Sequence, residues 1–596
     1  MLKLKYNIYR IAVFLLVAAY CLHTSSCAST KAAPSGGPKD TIPPVVLSVK
    51  PEMNTTGFPL EKGEIYILFN EYVQLKDANK NILLSPPQKK PVKARIKGKG
   101  IAVTFQEPLD TNCTYSLNFG QAIVDNNEGN PLFGYSYSFS TGNIVDSMML
   151  SGTVVDAVTL FPVENATVAL YLNPKDSSVI NDLPAAVART DKWGYFTVRN
   201  LKPLPYTVYA ISDENTNNRY EQGIEKIAFM DSTITPTLVM HKDSPELEYI
   251  DPKDTLACLA RPVQIELQIF GEKSLNQFIR DYKRVTRRGA YIKFNASDVQ
   301  IDSFSIAGIR DEQIIKQFNI TKDSLVFWVN EPGKLPDTLN VGIKYHKTDT
   351  TGNLVPAVEQ LKLVAPFEKK EEKKSDKRAD LLEFTVSADS KKVEQDGIVL
   401  TFKEPLVKSV FDSISFVMST PKKIKSNVEY DVIQDSLEIN RYTIRPKVQF
   451  VKGNDYELKF PEKIFRDING FTNDSTDTKI SLPTNDDASS ISIALTNVDA
   501  RYIIELINDT RTTVYRTYII NDDAELLFPY LEKGKYSIRI TEDKNSNGLF
   551  DSGDLLAKKR SEKVKLYTLP GGKTVINLNE KTDLMQEIDI AEMFAK

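Results

Sequence analysis

Residues 115–129 read YSLNFGQAIVDNNEG, and residues 456–470 read YELKFPEKIFRDING. Set one over the other, Tyr115 falls on Tyr456, Leu117 on Leu458, Phe119 on Phe460, Ile123 on Ile464 and Gly129 on Gly470. The first three apolar positions alternate, which lines one face of a β-strand. The Asn/Asp-rich ending with Gly supplies a turn that needs positive φ. About fifty residues upstream the likeness continues: ILFNEYV (67–73) matches LTFKEPL (400–406), with Phe69 over Phe402 and Glu71 over Glu404. A weaker third copy spans about 262–364, through YIKFN (291–295), LNVGI (339–343) and DTTGN (349–353). Repeats of this kind make the chain modular, and the period-2 runs make the modules antiparallel sandwiches.

A second repeat lies between these copies. Tyr195–Gly223 aligns without a gap on Glu525–Gly553, a constant offset of 330 that places Leu201 on Leu531, Tyr206 on Tyr536 and Asp213 on Asp543. The expected order is therefore A-B-A-A-B. The modules are expected at 43–143, 148–245, 260–365, 380–484 and 487–596. A charged linker, EKKEEKKSDKR, is expected within 366–379. One run departs from the β pattern. In SLNQFIRDYKRVTRRG (274–289), Leu275, Phe278, Ile279, Tyr282 and Val285 recur at helical spacing. That predicts a short helix with Arg280, Lys283, Arg284, Arg287 and Arg288 on its solvated face.

These segments resemble two known families. The A modules resemble bacterial Ig-like domains of the S-layer type, through the P-P-V-V strand (43–46), the F-x-E core (69–71) and the Y-x-L-x-F strand before its turn. The B modules resemble carboxypeptidase-regulatory-like, prealbumin-type sandwiches, through SGTVVDA (151–157), PVENATVALY (162–171) and TDKWGYFTVRNL (190–201). The resemblance implies an all-β chain of tandem Ig-like and prealbumin-like sandwiches. It is nearly silent on function, because both families are general building blocks. Strung end to end, five such modules would reach beyond about 100 Å.

Composition narrows the function classes. The 596 residues carry 75 Lys+Arg against 78 Asp+Glu, a net charge of −3, so nothing supplies the basic excess that nucleic acid requires. Only three histidines are present, and His241 and His346 sit in no recognisable catalytic motif. No HExxH, GxSxG, CxxC or Walker loop occurs.

The N-terminus reads as an address. Lys3, Lys5 and Arg10 precede an apolar run at 11–22, which is shorter than the roughly 20 residues a spanning helix needs. Thr24-Ser25-Ser26-Cys27 resembles a bacterial lipobox. The expectation is a signal peptide over 1–26, lipid on Cys27, and a Pro/Gly/Ser-rich tether over 27–42.

One loop carries metal-ligand spacing. Asp543, Asn545, Asn547, Asp551 and Asp554 stand at positions 1, 3, 5, 9 and 12, with Gly548 at 6 and the Leu549 carbonyl at 7. A calcium loop needs hard oxygens at such intervals. The equivalent loop offers a weaker set, Asp213, Asn215, Asn217 and Glu221. Its position 12 falls on Ile224, and Glu225 reaches it only by a shift. The leading functional expectation is a non-enzymatic, outer-membrane-anchored lipoprotein that uses Ca²⁺ and binds an envelope protein complex or a surface glycan. The rival reading is a structural accessory subunit of an envelope complex, and a glycan-active enzyme comes third.

Overall fold

The computed structural model describes residues 40–238, 261–366, 381–482 and 489–595, apart from Asp176 and Lys391, and of 239–260 only Thr255 and Cys258. Cys27, the signal peptide, His241 and the 366–379 linker beyond Pro366 lie outside these residues. Among the described residues no helix is long and apolar enough to cross a membrane.

The chain is all-β. In the first module the strand Glu64–Phe69 buries Ile65, Ile67 and Phe69 completely and leaves Glu64, Tyr66 and Leu68 half-exposed, as its period-2 pattern dictates. It pairs with Val46–Lys50 and Gly100–Thr104, and a second sheet of Leu83–Ser85, Thr114–Asn118 and Ser136–Ser140 covers it. Phe58, Tyr115 and Phe139 stack in the core between them.

The repeat that opens the sequence keeps its details in the fourth module. The Tyr115 hydroxyl accepts the Asp110 N–H at 2.9 Å, and the Tyr456 hydroxyl accepts the Val451 N–H at 2.7 Å. Each fixes a chain crossing by one buried polar handle, as tyrosines do at sandwich corners. The turns after the repeat hang on Asp125 and Asp467. Asp125 accepts four backbone N–H groups, from Asn127 to Asn130, and Asp467 accepts those of Asn469 and Phe471. Gly129 and Gly470 take φ of 78° and 87° there.

The predicted helix is a strand. Ile279–Arg284 pairs antiparallel with Gly289–Phe294, so five cross-strand partners override a helical spacing of apolar residues. Arg280 and Lys283 are exposed as expected, but Arg284, Arg287 and Arg288 do not share that solvated face. Arg284 is only 2% exposed and donates to the carbonyls of Arg287, Pro336 and Asp337. Arg288 donates to Val329, Glu331 and Gly333.

The second module ends later than its repeat suggests. The strand Ile265–Gly271 pairs parallel with Met148–Asp156 and antiparallel with Lys226–Phe229. The last module has the same feature: Asp583–Asp589 runs parallel to Ser489–Thr496. Residues 265–271 thus complete the second sandwich rather than open the third.

The modules are not strung end to end. Arg511, in the last module, lays its guanidinium 4.1 Å from the Phe161 ring of the second and donates to the Thr159 carbonyl at 2.7 Å. Arg539 reaches the Val158 carbonyl, and Arg560 pairs with Asp231. Phe550 and Leu555 join a cluster with Tyr220, Phe229 and Phe270. The fifth module is therefore folded back on the second.

Candidate functional site

The two polar loops are built alike, bond for bond. Asp543 accepts the N–H of Asn547 at 3.1 Å and of Gly548 at 2.9 Å; Asp213 accepts those of Asn217 and Asn218, both at 2.9 Å. Asn545 and Asn215 each turn an oxygen onto the N–H two residues on, as do Asn547 and Asn217. These are Asx-turns, and the residues between them, Ser546 and Thr216, take positive φ. In each loop both carboxamides donate to one acid. Asn545 and Asn547 reach Asp551 Oδ2 at 2.5 and 2.7 Å, and Asn215 and Asn217 reach Glu221 Oε1 at 2.7 and 3.1 Å.

The residue that closes each loop is a buried glutamate. Glu562 accepts the N–H of Lys544 at 2.8 Å and of Asp551 at 3.0 Å. Glu225 accepts those of Glu214 and Glu221, the same two loop positions. Strand register confirms the equivalence. Val564, two residues after Glu562, pairs with Thr541, and Ile227, two after Glu225, pairs with Ile211. The offset of 330 has become 337 because the last module carries seven extra residues here. Asp554 belongs to that insertion. Its carboxylate accepts the Ala557 N–H and its backbone bridges Lys559, so it is not the residue that closes the loop. Leu549, 40% exposed, donates its N–H to Asn547.

Charge in the loop is already balanced in part. Arg501 Nε lies 3.0 Å from Asp543 Oδ2, and Lys273 Nζ lies 3.1 Å from Asp551 Oδ1. Burial works to raise the Asp551 carboxyl, but Lys273 and the two carboxamides outweigh it and hold it below its usual range. Burial, helped by the charges of Asp551 and Asp543, pushes Glu562 up. Glu225 is pushed up the same way, by burial first. Among the described residues no three His, Cys, Asp or Glu side chains stand as a ready metal cluster. The hard-oxygen donors Asp543, Asn545, Asn547, Asp551 and Glu562 nevertheless share one loop. They fit Ca²⁺ in chemistry if the carboxamides rotate and Lys273 withdraws.

Lys273 comes from the second module, next to Glu272. The Glu272 carboxylate accepts the Tyr220 hydroxyl at 2.6 Å on one side and the Leu555 N–H on the other. One carboxylate thus joins the two equivalent loops. Gly553 lies against the Phe270 ring so closely that a Cβ would collide with it. A cavity of about 450 Å³ adjoins this junction, and Gln277, Asp298 and His346 of the third module are among the residues that line it. His346 Nε2 stands 3.4 Å from Asp302.

Residues 40–141 match the family model of the bacterial Ig-like domain, which covers the first module. No curated protein matches the chain significantly. Among solved structures, the chain is similar to the major pilin subunit BcpA of Bacillus cereus at 11% identity, covering 74% of this chain and 99% of that one, TM-score 0.13. The S-layer protein rSbsC(31-844) aligns at 11% identity over 89% of this chain and 67% of its own, TM-score 0.13. Native alpha-2-macroglobulin from Escherichia coli, spanning domains MG0-NIE-MG1, aligns at 12% identity over 33% of this chain and 96% of that one, TM-score 0.13. Scores this low bear neither on module arrangement nor on function.

Proposed function

We propose that this is a non-enzymatic binding protein, held at the outer membrane by lipid on Cys27, with its modules braced into one platform. The observation that supports this most is the junction at Glu272 and Lys273, which ties the last module to the second across 278 residues of chain. Ionic and apolar contacts there serve rigidity rather than turnover. A surface glycan or an envelope protein complex is the partner class. Calcium, taken up by Asp543, Asn545, Asn547, Asp551 and Glu562 in exchange for Lys273, would stiffen the last loop. Affinity of about 10⁻⁴–10⁻³ M is expected, as in extracellular modules.

The accessory-subunit reading also draws support from the fold-back, because a braced platform offers a broad face to a neighbouring complex. Two measurements test the proposal. Membrane fractionation of Cys27→Ser should release the protein to the soluble fraction, and retention would overturn the lipid anchor. Crosslinking and affinity capture of the anchored protein should recover a stoichiometric envelope protein if it is an accessory subunit. Capture of none favours a glycan-binding role.

A further inference from the structure

Between the first and second modules lies a cleft of about 240 Å³, walled by the strand ends near Ser85 and Ser116 on one side and Ala186–Arg189 with Tyr195–Leu201 on the other. Its charge is unlike that of the chain. Arg189, Lys192, Arg199 and Arg261 line it against only Glu164 and Asp191, whereas the whole protein is net negative. The rest of the wall mixes apolar side chains such as Leu83 and Phe196 with hydroxyls and carboxamides, among them Asn118 and Gln121 from the first module.

Arg261 is the informative residue. Its side chain is 10% exposed and its guanidinium lies 3.9 Å from the Tyr195 ring centroid. Nε donates to the Cys258 carbonyl at 2.9 Å and Nη1 donates to Asp191. Nη2 is buried and has no hydrogen-bond partner. A buried guanidinium donor left unpaired is costly, and a planar fork stacked on a ring is set up for an oxyanion. We infer that this cleft binds a small polyhydroxylated anion, a sugar bearing a carboxylate, sulfate or phosphate. The anion would meet Arg261 and its cationic neighbours, and the hydroxyls would meet the carboxamide wall. The volume falls just below the roughly 300–1,000 Å³ of pockets for drug-sized ligands, which limits the occupant to about a monosaccharide. The inference rests on reading the chain as a binding protein and names the ligand class.

The test uses the soluble mature chain, so it is independent of the membrane anchor and of any protein partner. The probes are D-glucuronate, glucose 6-sulfate and glucose 6-phosphate, with D-glucose and inorganic sulfate as controls, read by saturation-transfer NMR and calorimetry. At least one anionic sugar should bind saturably below about 10 mM and bind tighter than either control. Arg261→Gln should weaken it about tenfold or more, the worth of one charge-assisted hydrogen bond. Lys192→Gln, at the rim, should weaken it less and make it less sensitive to salt, and it decides the matter should Arg261→Gln unfold. No saturable binding, equal binding of glucose, inorganic sulfate binding as tightly as the sugars, or affinity unmoved by the folded variants would each overturn the assignment.

Discussion

Lys273 Nζ lies 3.1 Å from Asp551 Oδ1, and Glu272 beside it accepts a backbone N–H from Leu555. The ammonium is about half exposed, so the ion pair itself is worth only about 0–1 kcal/mol. The Glu272 contact matters more, because its loss leaves the buried Tyr220 hydroxyl and the Leu555 N–H without an acceptor. Glu272→Ala should therefore loosen the last module from the second. Small-angle scattering should report a larger radius of gyration, and proteolysis should cut faster around 553–560. Lys273→Ala should change neither much. Equal effects from both would mean that the ion pair ties the modules as strongly as the Glu272 contacts, and a larger effect from Lys273→Ala would make it the stronger tie.

The proposed calcium uptake by the last loop would separate two carboxylates, Glu562 and Asp554. Millimolar Ca²⁺ should raise the unfolding temperature of the chain, and Asp543→Ala or Glu562→Ala should abolish the rise. Asp554→Ala should leave it intact, because Asp554 lies in the seven-residue insertion and holds the Ala557 N–H. Lys273→Ala should tighten calcium, since no ammonium then competes for Asp551. Loss of the rise in Asp554→Ala alone would restore the spacing first read from sequence.

The same loop should titrate in two directions. Asp551 is held below its usual value of 3.8, so its contribution to stability is present above that pH and fades as pH falls through the lower native value. Glu562 is held above its usual 4.5. Between 4.5 and its native value the folded state binds the extra proton, and stability rises as pH falls across that window. Carboxyl ¹³C NMR in calcium-free buffer should show Glu562 titrating above Asp551. Lys273→Gln should move Asp551 upward, and an unmoved Asp551 would remove Lys273 as the cause.

Much of this architecture is legible in the amino-acid sequence. Period-2 strands announce themselves because a half-buried strand must alternate, and Glu64–Phe69 does so perfectly. The turn acids and glycines at 125–129 and 467–470 are local chemistry, so they too show in sequence. What stayed hidden is set by tertiary pairing. Ile279–Arg284 carries a helical spacing, but its neighbour Gly289–Phe294 claims its backbone. Glu562 lies beyond an insertion that breaks the 330 offset, and only strand register aligns it with Glu225. A signal did exist in the shifted acid at Glu225. The fold-back has no local signature at all, since Lys273 and Asp551 meet only in three dimensions.

The buried arginine of the third module offers the sharpest stability test. Arg284 is 2% exposed and gives its guanidinium to three carbonyls, those of Arg287, Pro336 and Asp337. Burial lowers its proton affinity, with the Arg287 charge adding to the effect, yet a guanidinium stays charged through the physiological range. Arg284→Met keeps much of the apolar stem but leaves those carbonyls without a charged donor. Hydrogen bonds to charged groups contribute about 1.5–3 kcal/mol each, and they are not additive, so a loss of about 3 kcal/mol is expected. Arg284→Lys should recover less than half, because an ammonium cannot span carbonyls from two chain segments as a planar fork does. The chain has several modules, so a single melting point would blur the effect. Amide hydrogen exchange of Ala290–Phe294 and Leu325–Val329 reads it locally, as faster exchange confined to that sheet. A loss under about 1 kcal/mol would mean that water replaces the guanidinium, and that these carbonyls are not its structural task.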